Sequence, residues 1–311
     1  MKNLHQKVTL FLHMFFAVTM LNAQWSEVGA GTSPLNANSD IKAVHVTSSG
    51  LVLAAGNFRN DSSNTYVAVW NNSTWKELGG DNSLLGNSSI YTIASDTTDN
   101  IYAAGSLTEG GQYVVGRFSA GSWSIAGNVG FNGYIRSLVC DADGNLYAAG
   151  SFKNDSNQYY VAKWNGTTWN EVGSGANALN PNGEFKCLAC DNSGNLYAAG
   201  FFTNGTSKYY VAKWDGTSWS EVGTLDANNY INDIIVDANG NLFAAGGFNA
   251  PNNIAYIAKW NGSSWSSPGN LSANNYIFDL AADATGNFYA AGSFTNSSNK
   301  PYVAKWDGAT W

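Results

Sequence analysis

The sequence predicts an all-β protein assembled from repeated four-stranded antiparallel units. Three observations carry that reading. First, a decapeptide recurs after residue 24: YVAKWNGTTW ending at Trp169, YVAKWDGTSW at Trp219, YIAKWNGSSW at Trp265 and YVAKWDGATW at Trp311. Weaker copies end at Trp75 (YVAVWNNSTW) and Trp123 (VVGRFSAGSW). Counted from Trp25, the intervals are 50, 48, 46, 50, 46 and 46 residues, and all 12 tryptophans fall in this register. Second, Asn-Gly and Asp-Gly pairs punctuate strand-like runs; they reach positive φ cheaply and close short hairpins that match strand twist. Third, no amphipathic period of 3.6 residues follows residue 23.

The third repeat shows the order of elements. Residues 135–141 (IRSLVCD) form a nearly continuous apolar run, as expected of a strand covered on both faces. The turn Ala142-Asp143-Gly144 leads into a second run, NLYAAG, at 145–150. A third run at 159–164 alternates apolar and polar residues, and Asn165-Gly166 turns it into a fourth that starts at Trp169. That turn sets Trp164 opposite Trp169, a cross-strand aromatic pair worth roughly 0.5–1.5 kcal/mol beyond its area burial.

Four strands per unit, repeated six times, describe a six-bladed β-propeller of four-stranded antiparallel blades. Radial closure is expected over an open solenoid because it removes exposed strand edges. The repeats run 25–75, 75–123, 123–169, 169–219, 219–265 and 265–311, forming one domain over 24–311. Residues 25–29 (WSEVG) read as a fourth strand, and Trp311 stands where the sixth fourth strand begins. The N-terminal strand is therefore expected to complete the last blade. The competing expectation is a fragment of a longer surface protein.

Residues 1–23 read as a secretory signal peptide. Lys2 and Lys7 precede an apolar run at 8–21, and small Ala23 precedes Gln24. About 14 apolar residues fall short of the roughly 20 that a spanning helix needs. The expected location is secreted or cell-surface, with no membrane insertion after cleavage. The whole chain has 15 Lys+Arg against 22 Asp+Glu, a net charge of −7, which becomes −9 once Lys2 and Lys7 are removed. That balance argues against nucleic acid or an anionic membrane as partner. Charged residues are only 12%, about half the usual share of roughly 25%, while 44% apolar and 14% aromatic residues exclude disorder. Losing His5 and His13 with the signal leaves His45 as the one histidine. A monomer is expected.

The runs D-x-x-G-N-[LF]-[YF]-A-A-G and [YV]-[VI]-A-K-W-[ND]-G-x-x-W resemble tandem propeller repeats of secreted bacterial proteins. They are similar to the kelch/galactose-oxidase-like and NHL-like propellers, in particular those of exported Bacteroidota proteins, whose signals also end in Ala-Gln. The resemblance spans essentially the whole chain after the signal. It implies architecture and export, and leaves activity open. The paired glycines of kelch repeats and the Trp-Asp ending of WD40 blades are absent. The copper ligands of galactose oxidase cannot be placed with a single histidine, so no cofactor is expected.

The repeat filters candidate chemistry, because a residue type that recurs in one slot of most blades has a structural role. Asp96, Asp141, Asp191, Asp237 and Asp283 share the first-hairpin slot and should hydrogen-bond the turn. Residues 141–145 (DADGN) resemble the start of a calcium loop but lack its downstream glutamate. Lys163, Lys213, Lys259, Lys305 and Arg117 read as solvated outer-strand charges. Cys140 and Cys190 occupy a slot otherwise held by Val46, Ser95, Val236 and Ala282, so the cysteines read as buried free thiols. A spacing of three on a strand points Cys187 and Cys190 to opposite faces, and a zinc site lacks two further ligands. No metal is expected. His45, in a slot of small apolar residues, reads as a core or channel-side histidine. No G-x-S-x-G, phosphate loop or metal-spaced His cluster occurs.

Repeat length varies in two connections, from second to third strand (59–65, 153–158) and between blades (30–40, 174–184). In a propeller both emerge on one face, which becomes the candidate binding face. Its singular charged residues are Arg59, Asp61, Lys153, Asp155 and Glu184. Near the channel entrance one inner-strand slot reads Ala43, Thr92, Ser137, Cys187, Asp233, Asp279, with Arg136 and Lys186 one position earlier. The plain reading of Arg136, Lys186, Asp233 and Asp279 is water-solvated channel lining. The sharper one makes Asp233, Asp279 and Arg136 catalytic candidates. Three functions follow: a non-catalytic binding scaffold for a glycan or protein, which is favoured; a lyase or hydrolase at the channel mouth; and a structural repeat module.

Overall fold

The computed structural model describes residues 28–29, 34–80, 88–127, 130–250, 254–269, 271, 273–283 and 286–311. Residues 1–23, assigned to the signal peptide, lie outside the described residues, as does most of the expected N-terminal closing strand. The protein is a six-bladed β-propeller. Five blades show four antiparallel strands in meander order, and the sixth shows three. The six inner strands are Ile41–Val46, Ile90–Ser95, Ile135–Cys140, Phe185–Cys190, Ile231–Val236 and Ile277–Ala282. The only helical turn among the described residues is the short 3-10 segment Gly175–Asn177.

The tryptophan register builds each blade and joins it to the one before. Trp164 pairs opposite Trp169 with ring centroids 5.4 Å apart. Trp70–Trp75, Trp214–Trp219 and Trp260–Trp265 repeat the pairing at 5.6–5.7 Å, and Phe118 replaces the first tryptophan in blade 2. The indole N–H of Trp169 then donates to the Ala126 carbonyl in the fourth-strand position of blade 2, at 2.7 Å. Trp123, Trp219, Trp265 and Trp311 make the same bond to Leu78, Val172, Val222 and Pro268. Trp75 donates to Val28 at 3.0 Å, so the described part of the N-terminal segment holds the same place relative to blade 1.

A glycine follows each acceptor because the next blade's tryptophan leaves no room for a side chain. Gly127 has φ +97°, and a Cβ there would lie 2.7 Å from the Trp164 ring. The glycine closing each second strand has a different cause. Every inner strand bulges after its first residue, as between Ile135 and Ser137. The bulge brings the Tyr134 carbonyl against the space a Cβ on Gly150 would occupy.

The first hairpin is held as its aspartate predicts. In blade 3, Asp141 Oδ1 accepts the backbone N–H groups of Asp143 and Asn145, and Oδ2 accepts from Asn145 Nδ2 and the Tyr147 hydroxyl. The lysine slot differs from expectation. Lys163, Lys213, Lys259 and Lys305 are not simply solvated: each amine lies 5.3–5.9 Å over the ring of Tyr147, Tyr197, Phe243 or Tyr289 on the neighbouring strand. An aromatic face attracts a cation electrostatically, which the sequence pattern alone did not reveal.

The hydrophobic core lies between blades. Between blades 3 and 4, Tyr147, Ala149 and Val161 pack against Phe185, Leu188, Leu196 and Phe202. Equivalent clusters join blades 1 and 2, 2 and 3, 4 and 5, and 5 and 6. A fully buried side chain of this kind contributes roughly 1.5–3 kcal/mol, so the seams hold most of the stability.

Replacing Gly127 by Ala adds a Cβ at positive φ against the Trp164 ring. The expected outcome is a loss of about 2–4 kcal/mol, read as a lower urea midpoint. Gly166→Ala, with φ +94° but no atom within 4 Å of the added Cβ, should lose less, because only backbone strain is added.

Candidate functional site at the channel mouth

The inner strands surround a cavity of about 890 Å³. Lys42, Tyr91, Arg136, Lys186, Asp233 and Asp279 all border it. The two variable loop classes meet on one face, tied together by a repeated asparagine. Asn132, ahead of the inner strand, accepts the Lys153 N–H at 2.8 Å and donates to its carbonyl at 3.0 Å. Asn38 clamps Arg59 in the same way, and Asn182, Asn228 and Asn274 accept the N–H groups of Thr203, Asn249 and Thr295. The loops form a braced rim.

Within the cavity, one slot has a structural job in successive blades. An innermost strand has no ladder partner on its channel side, so N–H groups there must find other acceptors. Thr92 Oγ1 accepts the Leu138 N–H of the next blade at 3.0 Å, and Ser137 Oγ accepts that of Leu188 at 3.0 Å. Asp233 Oδ2 accepts the Leu280 N–H at 2.8 Å. Asp233 thus does for blade 6 what a threonine or serine hydroxyl does elsewhere. Burial and the neighbouring Asp279 carboxylate push its carboxyl well above the usual carboxylate range. Lys186 moves the opposite way: burial, and then the Arg136 guanidinium, lower its amine below the ordinary lysine value.

The remaining charges are mostly engaged. Arg136 Nε bonds Glu184 Oε2 at 2.9 Å across the blade 3–4 boundary. Lys186 lies 5.4 Å over the Phe201 ring, and Lys153 4.5 Å over Tyr159. Arg59 and Asp61 lie apart from the mouth in a recess bordered by Asn38, Tyr66 and Glu77, and Asp155 is exposed on the blade 3 hairpin tip. The structure therefore brings Arg136, Glu184, Lys186, Asp233 and Asp279 to one region and leaves Arg59, Asp61, Lys153 and Asp155 on the outer loops.

His45 faces the same cavity, and its Nε2 lies 2.8 Å from Ser95 Oγ of blade 2. Burial lowers its pKa despite the nearby Asp99. The three cysteines are free. Burial pushes the Cys140 and Cys190 thiols up to about 12 and Cys187 well above its ordinary value, which disfavours thiolate chemistry. Among the described residues no group of three His, Cys, Asp or Glu is placed to hold a metal ion. No helix among them is long and apolar enough to cross a membrane.

A residue-by-residue reading of charge also misses two groups of aromatic rings near the starts of the inner strands. Tyr134 packs edge-on to Tyr91 and Tyr113 at 6.2 and 5.0 Å, and Tyr230 lies 4.9 Å from Phe201 and 5.8 Å from Tyr276. Tyr91 and Phe278 border the cavity, and Phe278 and Tyr134 are exposed. The signal was present, since Tyr134, Tyr230 and Tyr276 all precede an inner strand by one residue.

No family model matches the chain, and no curated protein is similar to it in sequence. Solved structures share its fold. Virginiamycin B lyase from Staphylococcus aureus superposes with a TM-score of 0.58 at 10% identity, covering 87% of this chain and 85% of its own. PorZ, a bacterial surface component of the type-IX secretion system of Porphyromonas gingivalis, gives 0.54 at 14% identity, over 84% of this chain and 40% of PorZ. YCF48 bound to D1 peptide gives 0.50 at 15% identity, over 83% and 76%. At these identities the likeness establishes the propeller fold and no activity.

Because the folded state raises the Asp233 pKa, it favours the protonated carboxyl. That stability is fully present below the unfolded value of about 4 and is lost as pH rises through the folded one. Asp233→Asn keeps an acceptor for the Leu280 N–H and cannot ionise. Its stability relative to the native protein should therefore rise from pH 4 to pH 7 in paired denaturation curves; a flat difference would count against the raised pKa. Asp233→Ala should lose about 1–3 kcal/mol by leaving that N–H unmatched.

Proposed function

We propose that this is an exported, non-catalytic β-propeller that binds a glycan on its loop-rich face, with the aromatic rings near the starts of the inner strands as the contact surface. The observation that carries this reading is the two groups of rings, Tyr91, Tyr113 and Tyr134 in one and Phe201, Tyr230 and Tyr276 in the other. Aromatic rings offer apolar faces, and tyrosine hydroxyls offer hydrogen bonds, at low conformational cost. Arg136 is paired with Glu184, and Lys186 and Lys153 lie over rings, so the surface suits a neutral, hydroxyl-rich ligand better than a charged one. The asparagine clamps hold the rim in place and limit the entropy lost on binding. Export and a secreted or cell-surface location rest on the signal-like residues 1–23, and the kinship with kelch-like and NHL-like repeats of exported Bacteroidota proteins rests on the repeat motifs.

A second reading is supported by one observation. Asp233 and Lys186 border one cavity with their pKa values displaced in opposite directions, a pattern shared with acid–base sites. The binding reading is preferred because the Asp233 carboxylate is already engaged by the Leu280 N–H.

Screening the protein after residue 24 against arrayed glycans should give binding that falls at least about tenfold in Tyr134→Ala and Tyr230→Ala, with unchanged binding in Asp233→Asn plus Asp279→Asn. Binding only to arrayed proteins would replace the glycan by a protein partner. Turnover abolished by the double asparagine variant would establish the lyase or hydrolase alternative.

A further inference from the structure

Each inner strand bulges after its first residue, and the residue at the bulge borders the cavity in every blade: Lys42, Tyr91, Arg136, Lys186, Asn232 and Phe278. A bulge re-aims the side chain it carries. The residue just before it is isoleucine in five blades and Phe185 in the fourth, whereas the bulge slot holds five residue types. The first slot repeats because it packs the seam. The second does not repeat and can differ in chemistry from blade to blade.

Lys186 has the most unusual surroundings of the six. It is half-buried at the cavity wall, with its amine 5.4 Å over the Phe201 ring. Among the described residues it makes no ion pair; the Glu184 carboxylate, two positions before it, bonds Arg136 Nε at 2.9 Å. Burial and the Arg136 guanidinium lower the Lys186 amine and outweigh Cys187, Glu184 and Asp233, which act the other way. A desolvated amine beside a like charge is a better nucleophile than an ordinary lysine. Lys42 borders the same cavity but is exposed and lies 3.9 Å from the Asp40 carboxylate. Asp233, on the next blade, supplies the complementary group. Its Oδ2 accepts the Leu280 N–H, and burial with the neighbouring Asp279 favours the protonated carboxyl, so the proton sits on Oδ1.

We propose that Lys186 captures an aldehyde in the cavity as a reversible imine, with Asp233 as the proton donor that dehydrates the adduct. The Nζ lone pair bonds the carbonyl carbon, and the carbonyl π pair moves to oxygen. A water molecule carries the surplus proton from nitrogen to that oxygen, giving a carbinolamine. Asp233 Oδ1 then protonates the hydroxyl, which leaves as water; a protonated imine and the Asp233 carboxylate remain. Addition of water reverses each step. No oxidant or reductant is consumed, and the ligand is held rather than converted. The ligand class is a neutral aldehyde that fits a cavity of about 890 Å³. This capture goes beyond glycan binding at the aromatic rings and does not depend on it.

The test uses the native protein, glycolaldehyde as probe, and sodium cyanoborohydride to reduce any imine to a stable secondary amine. Peptide mass spectrometry at limiting probe then locates the adduct. At pH 7, Lys186 should carry at least about tenfold more adduct than the exposed Lys76. Equal or lower labelling of Lys186 overturns the proposal. The trapping rate at Lys186 should reach half its plateau below the ordinary lysine value of about pH 10.4; a midpoint at or above that value overturns the activated amine. Asp233→Asn keeps an acceptor for the Leu280 N–H but has no carboxyl proton. It should slow trapping at Lys186 at least about fivefold and leave Lys76 unchanged. Trapping at the native rate in that variant overturns the role of Asp233, and an equal loss at Lys76 does the same.

Discussion

The bond from an indole N–H to a carbonyl in the preceding blade's fourth-strand position is the constraint on which the rest of this structure depends. It requires a tryptophan at the start of each fourth strand and an aromatic partner opposite it. It requires a glycine after the acceptor, because the neighbouring ring takes up the space of any side chain. It also sets the length of the repeat, since 46–50 residues bring one tryptophan to the same point on the next blade. Variation in length is confined to connections that do not bear on this bond. Apolar packing between blades contributes more energy, but it is non-directional; the indole bond gives each seam its register.

A second constraint comes from the inner strands. Each has a free edge toward the channel, and its N–H groups need acceptors. The protein meets this need at three blade boundaries with a slot that holds threonine, serine and aspartate in blades 2, 3 and 5. Two consequences follow. A residue that looks singular in sequence, such as Asp233, has the same task as the hydroxyls of Thr92 and Ser137. The carboxylates are also brought close together and desolvated, so a structural solution produces the displaced pKa values usually associated with catalysis.

The two ends of the propeller divide the remaining work. At one end the turns are short and closed by aspartate and asparagine side chains that bond their own backbone, as Asp141 and Asn165 do in blade 3. At the other, longer loops are braced by asparagine clamps, as Asn132 braces Lys153. On the proposed reading, these loops, with most nearby cations already covered, would serve adaptable hydrogen bonding and stacking rather than charge recognition.

Much of this was legible in sequence because the fold is written six times. The strand order, the Trp164–Trp169 pair, the Asp141 turn and the face carrying the variable loops follow from local chemistry: turn residues with cheap positive φ, alternation of side chains and a constant period. Tertiary structure alone decided what crosses from one blade to the next. The lysines lie over aromatic rings of a neighbouring strand, Arg136 reaches Glu184 in the next blade, and Asp233 holds an N–H on blade 6. Tyr134 belongs with Tyr91 and Tyr113 although 43 and 21 positions separate them in the chain. A period in sequence specifies each blade from short-range preferences. The partner of a side chain that points out of its blade depends on how far the ring turns between blades, and that rotation is set by the packing of whole sheets.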